Sequence, residues 1–296
     1  MQTKWIRILL NLGLLLLLAF SSASTVLAQS DTQVRITQVD NSKFPTVTLY
    51  VSVTNSAGEP VGVDPATVQI AENGQAMKIV DARGGGQGGQ GVAEPLTTML
   101  VLDISGSMDK NNKLTAAKDA AKAYVNQMRA GDQAGLMTFD TQTYYVQPVT
   151  TDIAALTSAI DGLKTGGDTS MFDALVEAEN NLSSISGRKA VIALTDGLDN
   201  HSQNTVDNVI EQIGPSGLTI STVGFGDAGT ASQSGLDEGA LKSLAERSGG
   251  LYSFASDSES LSALYQQFGR TLQSEYAITY VSPSTLRDGI NRNLTV

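Results

Sequence analysis

Three short segments of the sequence carry oxygen-bearing side chains of the kind that hold a hard metal ion. They span residues 103–107, 168–173 and 195–197, and they offer carboxylates and hydroxyls but no thiolate and no imidazole. Donors of this kind suit Mg²⁺, with Mn²⁺ or Ca²⁺ as alternatives. Because hydroxyl ligands are neutral, they leave positive charge on the ion, and an acidic group from another molecule then becomes a favourable further ligand. The segments therefore predict an open magnesium-type site that binds an acidic side chain of a protein partner.

The same residues are poorly suited to catalysis. A serine hydrolase of the elbow type needs a Gly-x-Ser-x-Gly turn, and neither Ser105 nor Ser107 has such neighbours. His201 is the only histidine and hence the only imidazole base on offer. An aspartyl phosphotransferase would need a second acid two residues after Asp103, where Ser105 stands. We therefore expect no enzymatic activity, and a metal-dependent hydrolase is the least favoured alternative.

The composition excludes several other classes of function. The chain has 296 residues, a formal net charge of −11, one histidine and no cysteine. A thiolate metal site and a disulfide framework are therefore impossible, and a histidine-based zinc site is not expected. Since the negative charge repels nucleic acid and no basic cluster offsets it, we expect no nucleic-acid partner.

The first 28 residues have the pattern of a secretory signal peptide. Lys4 and Arg7 precede an apolar run from Ile8 to Phe20, and small residues lead to Ala28. We expect cleavage near Ala28 and a secreted, extracellular or cell-envelope location. The alternative is an uncleaved membrane anchor, although the apolar run is short for a spanning helix. Membrane association is expected only through such a leader or through a C-terminal region beyond residue 296.

A sheet must present the three segments along one edge. Strand-like runs at residues 99–102, 190–194 and 218–223 alternate with amphipathic helical patterns, which is typical of a doubly wound, mostly parallel α/β sheet flanked by helices. Ligands of such sheets bind at the carboxyl ends of the strands. Residues 103–107 and 195–197 directly follow two of these runs, so we expect their side chains to meet at that edge.

The remaining sequence predicts a second, smaller β unit. We expect a signal peptide at 1–28, a β-strand unit at 29–83, a Gly-rich linker at 84–95, the α/β domain at 96–275, and C-terminal strands at 276–296. The last strands should pair with the N-terminal unit in a small antiparallel β-sandwich, with the α/β domain inserted in it or appended to it. The linker lacks the Gly-Lys-Ser/Thr that a phosphate-binding loop requires. Residues 224–229 match the glycine spacing of a dinucleotide-binding motif, but the sequence does not predict the helix that must follow directly.

Three motifs in the α/β domain resemble the von Willebrand factor A family. They are Asp-x-Ser-x-Ser at 103–107, Thr-x-Met-Phe-Asp-Ala-Leu at 169–175 and Leu-Thr-Asp-Gly at 194–197. Their order is that of the family's metal-ion-dependent adhesion site (MIDAS), and the leader makes the chain similar to secreted bacterial members. The resemblance implies metal-dependent contact with a protein partner, in adhesion or assembly, usually without catalysis. The alternative within the same fold is a scaffold subunit of an envelope or secretion-related assembly.

The resemblance also implies a role for each site residue. Ser105, Ser107 and Thr169 would be hydroxyl ligands, directly or through water. Asp103 and Asp196 would act mostly through water and through hydrogen bonds to the serines.

Four further acidic residues lie close to these motifs in the sequence. Asp168 stands where many family members pass directly from glycine to threonine, and we interpret it as a solvated loop carboxylate rather than a group that weakens acceptance of an acidic ligand. Asp140, Asp173 and Asp199 are expected behind the ligands or at the surface. Asp173 should cap its helix or pack in it.

Overall fold

The computed structural model describes residues 32–84, 94–214, 217–226, 235–284 and 292–296. The predicted signal peptide, residues 85–93 of the predicted linker, and residues 227–229 of the fingerprint match lie outside these ranges. Within them, no helix is both long enough and apolar enough to span a bilayer.

The described chain contains strands and helices with the following bounds. The strands are β1 (Gln33–Asp40), β2 (Thr46–Thr54), β3 (Ala71–Glu72), β4 (Gln75–Ala76), β5 (Ile79–Gly84), β6 (Leu96–Asp103), β7 (Gln133–Phe139), β8 (Thr143–Thr150), β9 (Arg188–Thr195), β10 (Thr219–Phe225), β11 (Tyr252–Ala255), β12 (Tyr276–Val281) and β13 (Leu294–Thr295). The α-helices are α1 (Lys113–Val125), α2 (Ile153–Asp161), α3 (Met171–Ser183), α4 (Val206–Ile213), α5 (Glu238–Ser248) and α6 (Ser258–Gln273). A 3₁₀ turn at Pro65–Thr67 and an irregular helical segment at Gly106–Asn112, whose backbone is non-helical at Lys110 and Asn111, complete the order.

A six-stranded sheet forms the centre of the α/β domain. Its strand order is β11-β10-β9-β6-β7-β8. All neighbours are parallel except β7 and β8, which pair antiparallel as consecutive strands of a hairpin. Strands β6 and β9 are buried at every position, as expected for central strands that are covered by helices on both faces.

The alternation of side chains along β6 divides the core into two layers. Leu100 and Leu102 belong to one hydrophobic cluster, with residues of α1, α2 and α6. Met99 and Val101 point to the other face and belong to a second cluster, with residues of α3, α4 and α5. Successive strand residues face opposite sides of a sheet, so a continuous apolar run serves both layers. The predicted doubly wound α/β fold is confirmed.

Antiparallel strands form a separate β region. A four-stranded sheet has the order β1-β2-β12-β5, and a three-stranded sheet has the order β13-β3-β4. The two sheets share one hydrophobic core, which includes Val51, Ile70 and Ile278. The turn between β3 and β4 has positive φ at Asn73 and Gly74, the conformation that Asn-Gly favours in tight hairpins. Strand β12 follows the α/β domain and pairs with β2 and β5, which both precede that domain.

A buried ion pair lies where the α/β domain joins the β region. The Arg188 guanidinium donates to Glu275 Oε2 at 2.6 Å, to the carbonyl of Leu272, and to the carbonyl of Glu94 at 3.2 Å. Its planar group also lies 5.4 Å from the ring centre of Tyr50. Arg188 therefore contacts the segment before the α/β domain, the C-terminal end of that domain and a strand of the β region.

Candidate metal centre

Neighbouring strands bring two of the predicted segments together. Leu102 of β6 pairs with Leu194 of β9, so the residues that follow emerge side by side at the carboxyl edge of the sheet. The Thr195 hydroxyl donates to Asp103 Oδ2 at 2.6 Å across this edge. Strand pairing thus joins residues that lie 92 positions apart in the sequence.

Four of the five predicted site residues form one hydrogen-bonded chain. Asp103 Oδ1 accepts the backbone N–H of Ser105 at 2.7 Å. The Ser105 and Ser107 hydroxyl oxygens are 3.0 Å apart. The Ser107 hydroxyl in turn donates to Asp196 Oδ1 at 2.5 Å. The two carboxylates are therefore linked through the two serines.

Thr169, the fifth predicted residue, belongs to another loop but lies beside the same group of side chains. A methyl group added to Gly197 would lie 3.8 Å from Thr169 Oγ1 and 4.0 Å from Ser107 Oγ. The hydroxyls of two separate loops thus approach Gly197, which directly follows Asp196. The structure brings together all five residues that the sequence singled out.

The first and second loops are fixed to each other by their backbones. The N–H of Gly106 donates to the carbonyl of Gly167 at 3.0 Å, and the N–H of Gly166 donates to the carbonyl of Ile104 at 2.8 Å. Gly167 has a φ of 71°, which glycine adopts without the steric cost of a Cβ. A Cβ at this position would also lie 2.6 Å from Thr141 Oγ1. Glycine is therefore required here by both conformation and space.

Burial determines the electrostatics of this cluster. Asp103 is 0% exposed, and desolvation raises the pKa of its carboxyl to about 6. The hydrogen bonds from Ser105 and Thr195 lower that pKa, while the nearby charge of Asp196 raises it. The ammonium of Lys113 lies 2.6 Å from Asp196 Oδ2. Among the described residues, the cluster thus holds two buried carboxylates and one paired ammonium.

The other acidic residues near the motifs have structural partners. Asp140 Oδ1 accepts from the N–H of Gln142 and from the Tyr144 hydroxyl. Asp168 is exposed, and its Oδ2 lies 4.0 Å from Nδ1 of His201. Asp173 accepts from the N–H groups of Gln203 and Asn204. It therefore holds the loop after β9, which differs from the expected role in its own helix.

Residues 199–202 support the Thr169 loop in a way that the sequence did not indicate. Asn200 Oδ1 accepts the N–H of Thr169 at 3.0 Å, and the N–H groups of Asn200 and His201 both donate to the Thr169 carbonyl at 3.1 Å. Asp199 Oδ2 accepts the N–H of Phe172 at 2.9 Å, in the first turn of α3. This loop positions the backbone of Thr169 on both sides.

Sequence reasoning missed three residues of the cluster, namely Lys113, Thr195 and Asn200. Thr195 was available within the Leu-Thr-Asp-Gly motif, but neither Lys113 nor Asn200 had a sequence signal that pointed to the site. In the described part of the chain, no group of three or more His, Cys, Asp or Glu side chains is placed to hold a metal ion. Any ion bound here would depend on hydroxyl oxygens as well as the two carboxylates.

The fold and this loop cluster define an α/β domain with an oxygen-rich group of side chains at the carboxyl edge of its sheet. Residues 98–198 match the family model of the von Willebrand factor type A domain. That range contains all five predicted site residues. The matched segment is therefore similar to a von Willebrand factor type A domain.

Comparisons with known proteins agree with this assignment. The calcium-activated chloride channel regulator 1 of Equus caballus is 30% identical over 211 residues, which is 67% of this chain and 22% of that protein. The chain therefore spans about a fifth of that relative.

Solved structures show the same fold. A von Willebrand factor type A structure from Catenulispora acidiphila has a TM-score of 0.56 at 16% identity and covers 82% of this chain and 49% of its own. Proximal thread matrix protein 1 from the mussel byssus, solved with a zinc-occupied MIDAS motif, has a TM-score of 0.55 at 20% identity. That match covers 64% of this chain and 48% of the byssus protein. Von Willebrand factor A domains generally mediate protein–protein interaction or adhesion.

Proposed function

We propose that this domain binds a divalent cation at Asp103, Ser105, Ser107, Thr169 and Asp196, and through it an acidic side chain of a protein partner. The observation that carries the proposal is the convergence of these residues from three separate loops. Ser107 joins Asp196 and Ser105 by hydrogen bonds, and Thr169 Oγ1 faces the adjoining Gly197. Loops converging in this way on one edge of a parallel sheet are the usual location of a ligand site.

The charge of the cluster fits a cation. Two buried carboxylates stand against one ammonium, that of Lys113, and desolvation raises the pKa of Asp103 to about 6. A buried carboxylate without a compensating charge is costly, and a divalent ion would relieve that cost. The donors are hydroxyl and carboxylate oxygens, which favour Mg²⁺, Mn²⁺ or Ca²⁺ over softer metals. The bound ion would act as a Lewis acid that attracts an external carboxylate.

The surroundings of the cluster favour a protein as the source of that carboxylate. Leu198 directly follows Gly197 and is 47% exposed, and Tyr144 on the β7–β8 hairpin is also exposed. Aromatic residues such as tyrosine are enriched at protein–protein interfaces relative to the rest of the surface. We propose a binding role without catalysis, because von Willebrand factor type A domains are generally non-enzymatic adhesion modules. The predicted leader would deliver the domain to the cell envelope or outside the cell.

A thermal melt of the purified protein tests the metal site. We expect Mn²⁺ or Mg²⁺ to raise the melting temperature of the wild type relative to excess chelator, and Asp103→Ala to abolish the rise. A ligand present at about a hundred times its dissociation constant adds about 2.7 kcal/mol to the free energy of unfolding. Asp152→Ala is the matched control, because Asp152 caps α2 through the N–H groups of Ala154 and Ala155. That variant should lose stability but keep the cation-dependent rise.

A second melt tests the carboxylate partner. With Mn²⁺ present, acetate at constant ionic strength should raise the melting temperature further, whereas acetamide, its neutral analogue, should not. Both effects should vanish in chelator. A cation response without an acetate response would leave a metal site that serves stability alone. Absence of any cation response in the wild type would refute the proposal and favour a scaffold role for the fold.

A further inference from the structure

Lys113 has an unusual position for a lysine at the start of a helix. It is the first residue of α1, and it follows Asn111 and Asn112, which both have left-handed backbones with φ of 53° and 57°. Asn112 makes no side-chain cap to the helix. A positive side chain in the first turn opposes the helix dipole, which favours acidic residues there. The helix therefore gains nothing from this lysine, and the reason for its placement lies elsewhere.

The contacts of Lys113 place it in the candidate metal centre. Its ammonium lies 2.6 Å from Asp196 Oδ2, and the two side chains are 16% and 0% exposed. The other oxygen of the same carboxylate accepts from the Ser107 hydroxyl. Both oxygens of Asp196 are thus occupied by this chain's own donors, one of them fully charged. Removing one partner of a pair that is largely shielded from water is costly, because it leaves the other charge uncompensated.

An ammonium and a divalent ion would compete for this carboxylate. Both are positive, and Asp196 is one of the two carboxylates in the cluster. We propose that Lys113 is a tethered counter-cation that neutralises Asp196 while the site is free of metal and is displaced when a divalent cation binds. The lysine thereby keeps the metal-free domain stable and lowers the affinity of the site for the cation. This inference depends on the cation binding proposed above.

Titration calorimetry with Mn²⁺ tests the competition. Lys113→Met removes the charge and keeps much of the side chain's length. We expect this variant to bind Mn²⁺ at least about tenfold more tightly than the wild type. A tenfold change corresponds to only about 1.4 kcal/mol. Lys113→Arg keeps the charge and should stay near the wild type. The matched control is Lys118→Met on the same helix, because Lys118 bonds the carbonyls of Asp161 and Leu163 rather than the site. Its Mn²⁺ affinity should not change.

Chemical labelling of lysines in the wild-type protein tests the same proposal without relying on the folding of any variant. Reductive methylation followed by mass spectrometry should show Lys113 protected in chelator and reactive with Mn²⁺, because displacement exposes its ammonium. Lys78, which is exposed in the β region, should react equally in both conditions.

The outcomes separate this inference from the proposed function. Unchanged or weaker Mn²⁺ binding by a folded Lys113→Met would overturn the counter-cation role, and so would equal labelling of Lys113 with and without Mn²⁺. If the wild type itself binds no Mn²⁺, the proposed metal site fails first. Binding that is lost in Asp103→Ala but insensitive to Lys113→Met would leave the site intact and reject this inference alone.

Discussion

The Ser107 hydroxyl donates to Asp196 Oδ1 at 2.5 Å although the two residues lie 89 positions apart in the sequence. This bond connects the loop after β6 to the loop after β9, and the pairing of those two strands makes it possible. Each loop alone offers only one buried carboxylate. Together with the Thr195–Asp103 bond across the same edge, the bond from Ser107 to Asp196 joins two segments that are distant in sequence into one cluster.

The first prediction concerns pH. In chelator, Asp103 has a folded pKa of about 6 against an ordinary value of 3.8. Between these values the folded protein holds a proton that the unfolded chain releases. The stabilisation that comes from protonating Asp103 in the folded state is therefore fully present below pH 3.8. The free energy of unfolding falls as the pH rises to about 6, by up to about 1.4 kcal/mol per pH unit. Denaturant unfolding of wild type and Asp103→Asn across this range measures it.

The comparison isolates Asp103 because the two proteins share all other titrating groups. The stability of the wild type relative to Asp103→Asn should fall as the pH rises, and Mn²⁺ should recover part of the loss above pH 6. A difference that stays constant or grows with pH would show that Asp103 is not held in a desolvated site.

The second prediction concerns the support of Asp103 by Thr195. Thr195→Val keeps the shape of the side chain but removes the donor to Asp103 Oδ2, which should lower the free energy of unfolding by about 1–3 kcal/mol. Mn²⁺ affinity should fall by about tenfold or more, since groups that orient ligands typically contribute that much. Thr222→Val is the control, because Thr222 is equally buried but donates to the Leu241 carbonyl. If both variants retain wild-type affinity, Thr195 has no role in the site.

The third prediction concerns the loop that holds Thr169. Asn200→Ala removes the acceptor of the Thr169 N–H, so we expect weaker Mn²⁺ binding, again by about tenfold, with a small change in melting temperature. Asn208→Ala provides the comparison, because Asn208 forms the capping box of α4 with Thr205 and should affect stability alone. Equal Mn²⁺ affinities in the two variants would contradict a positioning role for Asn200.

The fourth prediction concerns Gly167. Gly167→Ala places a Cβ 2.6 Å from Thr141 Oγ1 and 2.9 Å from the Thr141 nitrogen, in a backbone with a φ of 71°. Gly187→Ala has a φ of 88° but no atom within 4 Å of the added Cβ. The strain of a left-handed backbone should lower the free energy of unfolding of the second variant by about 1–2 kcal/mol. The first variant should be destabilised more than this and should bind Mn²⁺ weakly. Chemical denaturation and calorimetry measure the two effects, and equal losses would show that the close approach to Thr141 is unimportant.

Much of the fold could be predicted because the core strands carry an unambiguous pattern. The run at residues 99–102 is apolar without alternation, which only a strand covered on both faces requires. It forms the middle of β6, with Met99 and Leu100 in opposite layers. The limits of the strands were less predictable, since β6 extends to Leu96 and Asp103 through residues whose burial depends on neighbouring strands.

The sequence by itself determined which residue types gather at the site. Asp103, Ser105 and Ser107 lie within one loop, and that spacing already implies a common location at the end of a strand. Thr169 and Asp196 likewise lie within short sequence motifs that are rich in oxygen-bearing side chains. These are local properties of short segments, so they are legible without knowledge of the tertiary structure.

Only the tertiary structure decided what neutralises and supports those residues. Lys113 reaches Asp196 because two left-handed asparagines start α1 at that point, and Asn200 reaches Thr169 because the loop after β9 folds over the start of α3. Asp173 likewise bonds that loop rather than its own helix. Each of these contacts joins segments that are distant in sequence, and their partners were fixed by strand order and loop conformation, which residue type and spacing do not encode.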